Sequence, residues 1–460
     1  MKQLKLIGNL LLLFVAGTTK AQQIHTLTVK EAVELAYKNV IELKNAQIDY
    51  RNQEALNKEI FGRALPQVSG NIASSYYIKL PQILFPNAQD AGIYNILVKE
   101  NLLPQGTTIP PVTFQPVSFQ QPWNLNLSAS VQQLLFQPDV FVGLIARKTA
   151  LDLQSATIEQ TKERIKDSAY SRYYAILIAQ KQLVFMDESL KRLEKLYRDD
   201  SIMYKNGFAE RLDLDRVQVQ LNNLRSTRSV VENGVKMGYA AMKFSLGLPQ
   251  RDSVVLKAEL TNEKIKEGIL DDGFKYEDRA ELRTLAQNRK LLELDVKRNE
   301  LGYLPTVALS ANYALNGMGQ KFFTDNGTLW LKSSFIGLNV SVPIFDGFQR
   351  KYRTQQAQYR VEKLDNTITN VKQVIDLQQE ITRESLKSAL LNLDAQERNV
   401  QLAERVYNTT KLKFQEGLGS SFEVLQADAD VQTAQANYFN ALYNATVARI
   451  SYLSSLGKLE

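Results

Sequence analysis

The sequence predicts a mainly α-helical protein that also carries membrane β-strands, built from a unit of strand, strand and long helical hairpin that occurs twice. Three observations predict it: an internal duplication, long proline-free stretches with a seven-residue apolar repeat, and four segments of strict apolar/polar alternation. The duplication comes first, because a repeat fixes which unit folds. Leu65-Pro66-Gln67-Val68 opens a strand in the first copy and Leu304-Pro305-Thr306-Val307 in the second, with Asn39 to Leu43 and Asp278 to Leu282 upstream at matching spacing. Leu134-Leu135-Phe136 answers Pro343-Ile344-Phe345, Gly207 answers Gly417, and Ser245-Leu246-Gly247 answers Ser455-Leu456-Gly457. The first repeat is read as 22–250 and the second as 276–460, with 251–275 between them.

The N-terminus precedes the first repeat and has a different grammar. Lys2 and Lys5, the apolar run Leu10 to Ala16 and Thr19-Lys20-Ala21 have the layout of a secretory signal peptide, assigned to 1–21. The run is shorter than the roughly 20 apolar residues of a membrane-spanning helix, and no other stretch qualifies. Export is therefore expected. Cleavage removes three lysines and takes the formal charge from +7 to +4, too mild over this length to imply a nucleic-acid partner. The chain has no cysteine, which excludes disulfides, thiolate metal sites and a cysteine nucleophile. His25 is the single histidine, and no glycine-rich phosphate loop is present. No catalytic residue, metal ligand or cofactor is assigned, and an enzyme is not expected.

In the first repeat, strands are expected near 66–78 and 123–136. Val68, Gly70, Ile72, Ser74 and Tyr76 alternate with Gln67, Ser69, Asn71, Ala73 and Ser75; Trp123, Leu125, Leu127, Ala129 and Val131 alternate with Asn124, Asn126, Ser128, Ser130 and Gln132. Between them, 79–122 is expected to be a long loop on the extracellular side, since seven of the twelve prolines fall from Pro81 to Pro122 and long loops of membrane β-barrels face the cell exterior. The second repeat places strands near 304–315 and 335–345, where Val307, Leu309, Ala311, Tyr313 and Leu315 form one face and Ile336, Leu338, Val340 and Val342 another. A period of two over about ten residues fits transmembrane barrel strands, with Trp123, Tyr76 and Phe345 at their ends. A soluble sheet with one buried face has the same alternation.

Each strand pair is followed by a helical hairpin, 140–247 and 348–457. No proline lies between Pro138 and Pro249 or after Pro343, so nothing interrupts the backbone ladder there. Ile176, Ala179, Leu183, Met186, Leu190, Leu193, Tyr197, Asp200 and Tyr204 alternate steps of three and four, the heptad of a coiled coil. Leu386, Ala389, Leu393, Gln396, Val400, Ala403, Tyr407, Thr410 and Phe414 keep the same register in the second copy. The stretch 251–275 is charged and weakly periodic.

A sheet that spans a membrane must have no unpaired edge, because each bare backbone group in lipid costs several kcal/mol. Four strands are too few to close, about eight making the smallest usual barrel. The chain is expected to oligomerise; three copies give twelve strands, and composition leaves two or four open.

The duplicated Leu-Pro-x-Val starts at Leu65 and Leu304, the run Ser341 to Gly347, and the segments Tyr204 to Asp213 and Phe414 to Glu423 resemble the TolC-like outer-membrane efflux protein family over nearly all the mature chain. The resemblance implies a homotrimer with a 12-stranded outer-membrane β-barrel, set in outer-membrane lipid, continuing into a 12-helix periplasmic α-barrel. It implies the exit duct of a tripartite efflux system in a Gram-negative bacterium, docked to a periplasmic adaptor (membrane fusion) protein and an inner-membrane transporter of RND or ABC type. Type I protein secretion and a non-conducting periplasmic scaffold are the alternatives. By the same resemblance, Gly207, Phe208, Ala209, Gly417, Leu418 and Gly419 form the adaptor-docking turns, and Glu423 and Asp213 the pore constriction. Glu423 stands at the family's first acidic position; Gln426 replaces the second, and Gly419 stands where a basic latch residue is usual. Glu423 also reads as a solvated carboxylate favoured by its helix N-terminus.

Overall fold

The computed structural model of the chain describes residues 24–104, 106–108, 111, 113–257, 265, 273–321 and 327–459. The expected signal peptide and most of the segment between the repeats lie outside them. The first repeat runs β1 (Ile24–Leu27), α1 (Val29–Asn39), α2 (Ile41–Arg63), β2 (Gln67–Tyr76), β3 (Ile83–Asn87), α3 (Ala88–Lys99), β4 (Thr113–Val117), β5 (Trp123–Phe136), α4 (Pro138–Lys205), α5 (Arg211–Ser245) and β6 (Ser253–Leu256). The second runs α6 (Ala280–Leu301), β7 (Thr306–Gly319), β8 (Leu329–Ser341), α7 (Gln349–Gln415) and α8 (Ser421–Ser455), after a 3-10 turn at Tyr276–Asp278. The duplicated strand, strand, long-hairpin unit is thus present twice. The chain divides into two compact units: one of Met1–Glu54, Lys148–Glu293 and Gln358–Glu460, the other of Ala55–Arg147 and Leu294–Ala357.

The second of these units holds one four-stranded sheet in the order β2-β5-β7-β8, antiparallel throughout. Because side chains alternate along each strand, the register decides whether four separate alternations add up to two faces. They do. Ile72 lies opposite Leu127, Leu127 opposite Leu315, Val131 opposite Ala311 and Ala311 opposite Ile336, so the apolar positions align across the sheet. The other face is mostly small and polar, with Ser69 and Ser130 hydroxyls 2.7 Å apart and the Asn126 amide donating to Asn316 Oδ1 at 2.6 Å, but on β8 it also carries Leu331 and Phe335, opposite Asn316 and Asn312. A bulge between Leu134 and Phe136 shifts the β5–β7 register at one end.

The apolar face distinguishes a soluble sheet from a membrane sheet. Val68 is 73%, Ile72 78% and Ile336 80% exposed within the chain, and Leu338, Val340 and Tyr313 are also bare. A soluble sheet buries such a face; an uncovered stripe of this kind needs another apolar phase. Aromatic side chains stand at both strand ends. Tyr76 and Trp123 rings lie 4.7 Å apart at one, while Phe136 meets Phe141 at 5.3 Å and Phe345 meets Phe348 at 5.5 Å at the other. Trp330 lies across Gly317, where an added Cβ would come within 3.0 Å of the indole. Covering a strand glycine with a cross-strand aromatic restores the contact area that the glycine lacks.

Residues 79–122, expected as a loop, hold structure of their own. β3 and β4 pair antiparallel, Ile83 opposite Val117 and Pro86 opposite Phe114, with α3 between them. The prolines concealed this element: a two-stranded ribbon has two outer edges, and proline is tolerated wherever its missing N–H would point outward.

The helical unit is organised by four matching helix ends. At α4, Gly207 N donates to Tyr204 O and Phe208 N to Met203 O; at α7, Gly417 N donates to Phe414 O and Leu418 N to Lys413 O. Equivalent pairs close α5 through Gly247 and Leu248, and α8 through Gly457 and Lys458. All four glycines have positive φ, from 64° to 80°. This double-bonded stop satisfies the last carbonyls of a helix. At the far end of each hairpin the glycine is also a docking point: a Cβ on Gly247 would sit 2.8 Å from the Asn39 backbone, and one on Gly457 2.8 Å from Asp278 O. Each hairpin therefore closes onto the start of its own repeat. Around this closure lies the core, with Ala36, Tyr173, Ile176, Met242 and Leu246 buried, and Tyr173 donating to Leu27 O at 3.1 Å. Parallel pairing of β1 with β6 completes it. Among the described residues no helix is long and apolar enough to cross a membrane.

Gly457→Ala should lower the thermal midpoint more than Gly417→Ala. Both force positive φ on a Cβ-bearing residue, at about 1 kcal/mol, but only Gly457 lacks room, since nothing lies within 4 Å of Gly417. Equal losses in differential scanning calorimetry would remove the docking role.

Candidate functional site at the hairpin turns

The two hairpin turns share a backbone and differ in their caps. In both, the residue after the positive-φ glycine points outward: Phe208 and Leu418 are each 80% exposed. Ala209 and Gly419 follow, half-buried. Ser420 caps α8, its Oγ accepting from Glu423 N at 3.2 Å, whereas Glu210 makes no side-chain cap for α5. The repeated sequence sets the turns, and the residue immediately before each return helix sets how firmly that helix begins.

Both predicted constriction carboxylates are engaged within their own hairpins. Glu423 is exposed in the first turn of α8 and folds back over the turn, its Oε2 lying 3.2 Å from where a Cβ on Gly419 would be. That position favours a negative charge through the helix dipole. Asp213, in the first turn of α5, pairs with Arg216 at 3.4 Å. The Arg216 guanidinium also lies 4.9 Å over the Phe422 ring, so one cation joins the first hairpin's carboxylate to the second hairpin's aromatic side chain.

Sequence reasoning missed the residues that join the hairpins behind the turns. Asp428 of α8 is 1% exposed, accepts from Arg192 Nε of α4 at 2.8 Å and from Gln432 at 2.6 Å, while Ser189 accepts from Arg192 at 2.5 Å. Arg192 also covers the Tyr407 ring at 5.4 Å. Partners 236 residues apart leave no local signal. Around them Leu193, Leu196, Val217, Leu221, Val424 and Val431 form a buried apolar cluster. Asp200 continues the same heptad seam and is fully buried, without a hydrogen bond of normal geometry to either oxygen. Burial pushes its pKa up to about 6; the Ser421 hydroxyl opposes the rise and the Asp213 and Asp199 charges add to it. A carboxylate at a seam position is the signal that was available in the sequence.

Among the described residues no group of three or more His, Asp or Glu side chains is placed to hold a metal ion. What the molecule displays is a sheet with open edges and an uncovered apolar face, paired helical hairpins and exposed turns. Residues 276–458 match the family model described as outer membrane efflux protein. The chain is 21% identical over 350 residues to outer membrane protein TolC of Escherichia coli (strain K12), covering 72% of this chain and 69% of that protein. Over 180 residues it is 24% identical to the alkaline protease secretion protein AprF of Pseudomonas aeruginosa, covering 39% of this chain and 35% of that one. Its fold superposes on the Campylobacter jejuni CmeC outer membrane channel with a TM-score of 0.71 at 14% identity, covering 94% of this chain and 85% of that chain. The chain is thus similar to TolC-like outer-membrane efflux proteins, and the proteins it matches are channel proteins rather than enzymes.

Asp428→Ala would strand Arg192 between two hairpins. Removing one partner of a buried pair costs about 3 kcal/mol, and the loss should vanish in the Arg192→Met, Asp428→Leu double variant. Additive losses in a double-mutant cycle read by chemical denaturation would show that the pair is not coupled.

Proposed function

We propose that three copies of this chain join edge to edge, β2 of one pairing with β8 of the next, to seal a twelve-stranded barrel in the outer membrane. The barrel continues into a tunnel of twelve periplasmic helices. The observation that carries this reading is the four-stranded sheet itself: both edges open, one face largely apolar and uncovered, the other rich in Ser and Asn on β2, β5 and β7. In lipid the open edges demand partners, and a second copy of the chain presents complementary ones. Twelve strands enclose water, which the polar face supports. The protein acts as a passive exit duct for a tripartite efflux system, powered by an inner-membrane transporter of RND or ABC type and reached through a periplasmic adaptor.

At the entrance, Gly207, Phe208 and Ala209, with Gly417, Leu418 and Gly419, meet the adaptor; the bare Phe208 and Leu418 side chains are the apolar anchors. Glu423 and Asp213 line the constriction, and a ring of Glu423 carboxylates favours cations. Arg216 offsets the Asp213 charge, so Glu423 carries the selectivity. The match to AprF supports a second reading, the outer-membrane component of type I protein secretion, in which the same duct passes a polypeptide.

Ile336→Arg, on the uncovered face, should prevent heat-modifiable oligomers from forming, because a cation at the bilayer midplane costs about 2–4 kcal/mol. Ser333→Arg, on the other face, should leave the oligomer intact and change its single-channel conductance. Equal tolerance of both substitutions would contradict a lipid-facing sheet, and a crosslinked mass other than three chains would contradict the trimer. Glu423→Ala should reduce cation preference in planar bilayers; an unchanged reversal potential would remove Glu423 from the constriction.

A further inference from the structure

Two buried aspartates of the helical unit face opposite circumstances. Asp428 is held by Arg192 and Gln432. Asp200, on α4, is equally buried and has no such partner. The charges that act on it are Asp199 on its own helix and Asp213 on α5, both acidic, and α8 contributes only the Ser421 hydroxyl. No basic residue is among the groups that act on it, and Arg216, which pairs with Asp213, is engaged there and over the Phe422 ring. An ionised carboxylate in such a place is strongly disfavoured, and an apolar residue of similar size would stabilise the same packing.

The hairpin architecture does not require it. In the shared heptad register the second repeat carries Thr410 where the first carries Asp200, and that hairpin forms the same turn with the same glycine stop. Asp200 is a departure from the repeat where α4, α5 and α8 pack together behind the turns.

We propose that Asp200 is a proton-operated wedge between the two hairpins: neutral, it permits α8 to stay packed on α4 and α5; charged, it draws water in and loosens the second hairpin from the first. The geometry gives the sign. The packed arrangement disfavours the charged carboxylate, so it holds its proton from the ordinary 3.8 up to about 6. Proton linkage then makes packing most favourable at low pH, weakens it as pH rises through that window, and leaves the full penalty in place above it. Ser421, at the start of α8 and 8% exposed, is the contact through which the second hairpin senses the change. The inference concerns the hairpins alone and stands whether or not the chain conducts.

The chain lacks cysteine, so Lys205→Cys and Glu416→Cys give unique spin-label sites, one exposed on each turn. Distances between them are measured in the full chain, with labelled protein diluted in unlabelled protein so that only one chain is read. The distribution should lengthen between about pH 3.5 and about pH 7 along a one-proton curve, the change falling between the ordinary 3.8 and the Asp200 value of about 6. Asp200→Asn should hold the short distance at both ends, and Asp200→Thr, the residue of the second repeat, should do the same. A distribution that ignores pH in the parent chain would overturn the proposal, as would a shift that persists in either variant.

Discussion

Backbone hydrogen bonding in a medium without water is the constraint on which the rest of this molecule depends. A strand in lipid has no solvent to satisfy its outward N–H and C=O groups, and β2 and β8 each present a full row of them. The chain cannot satisfy both rows alone. From this follow the features of the sheet unit: an apolar face kept in register over four strands, a second face that tolerates water, and aromatic side chains at both strand ends. The uncovered Val68, Ile72 and Ile336 would be a liability on a solvated protein, yet they are the ordinary surface of a protein surrounded by hydrocarbon.

The helical unit answers a different problem. A hairpin of helices as long as α4 and α7 gains little from its narrow, alanine-rich seam, so its two ends must be fixed by other means. At one end the fix is steric, a glycine pressed against the Asn39 or Asp278 backbone at the beginning of the same repeat. Toward the other it is electrostatic and aromatic, through Arg192 with Asp428 and Arg216 with Phe422. The first device is duplicated, whereas the second joins one copy to the other. Repeat symmetry is therefore kept where each copy anchors itself and abandoned where the copies meet.

Most of this fold was legible because its signals are periodic. Proline-free stretches with steps of three and four specify α4 and α7, and alternation at Val68 to Tyr76 or Trp123 to Val131 specifies strands, whatever lies around them. Pro86 and Pro116 misdirected the reading of 79–122, since they sit inside paired strands where a two-stranded ribbon admits them. The short parallel pair β1 and β6 leaves no periodic trace at four residues per strand. At the turns, residues placed by the repeat were readable and those placed by tertiary contact were not. Gly207 and Gly417 announce themselves, while Arg192 finds Asp428 only once the hairpins meet. Asp200 lay between these cases: its position in the seam was visible, and the cost of a carboxylate there was the overlooked signal.

The β3-α3-β4 insertion interrupts only the first repeat; the second crosses between its strands over 320–328, a far shorter stretch. Any ring assembled from such chains has a rim whose ornament recurs once per polypeptide and not once per strand pair. At that rim the β3-α3-β4 element would stand at every other crossing. The duplication that halves the design problem among the strands would thereby be hidden along the rim.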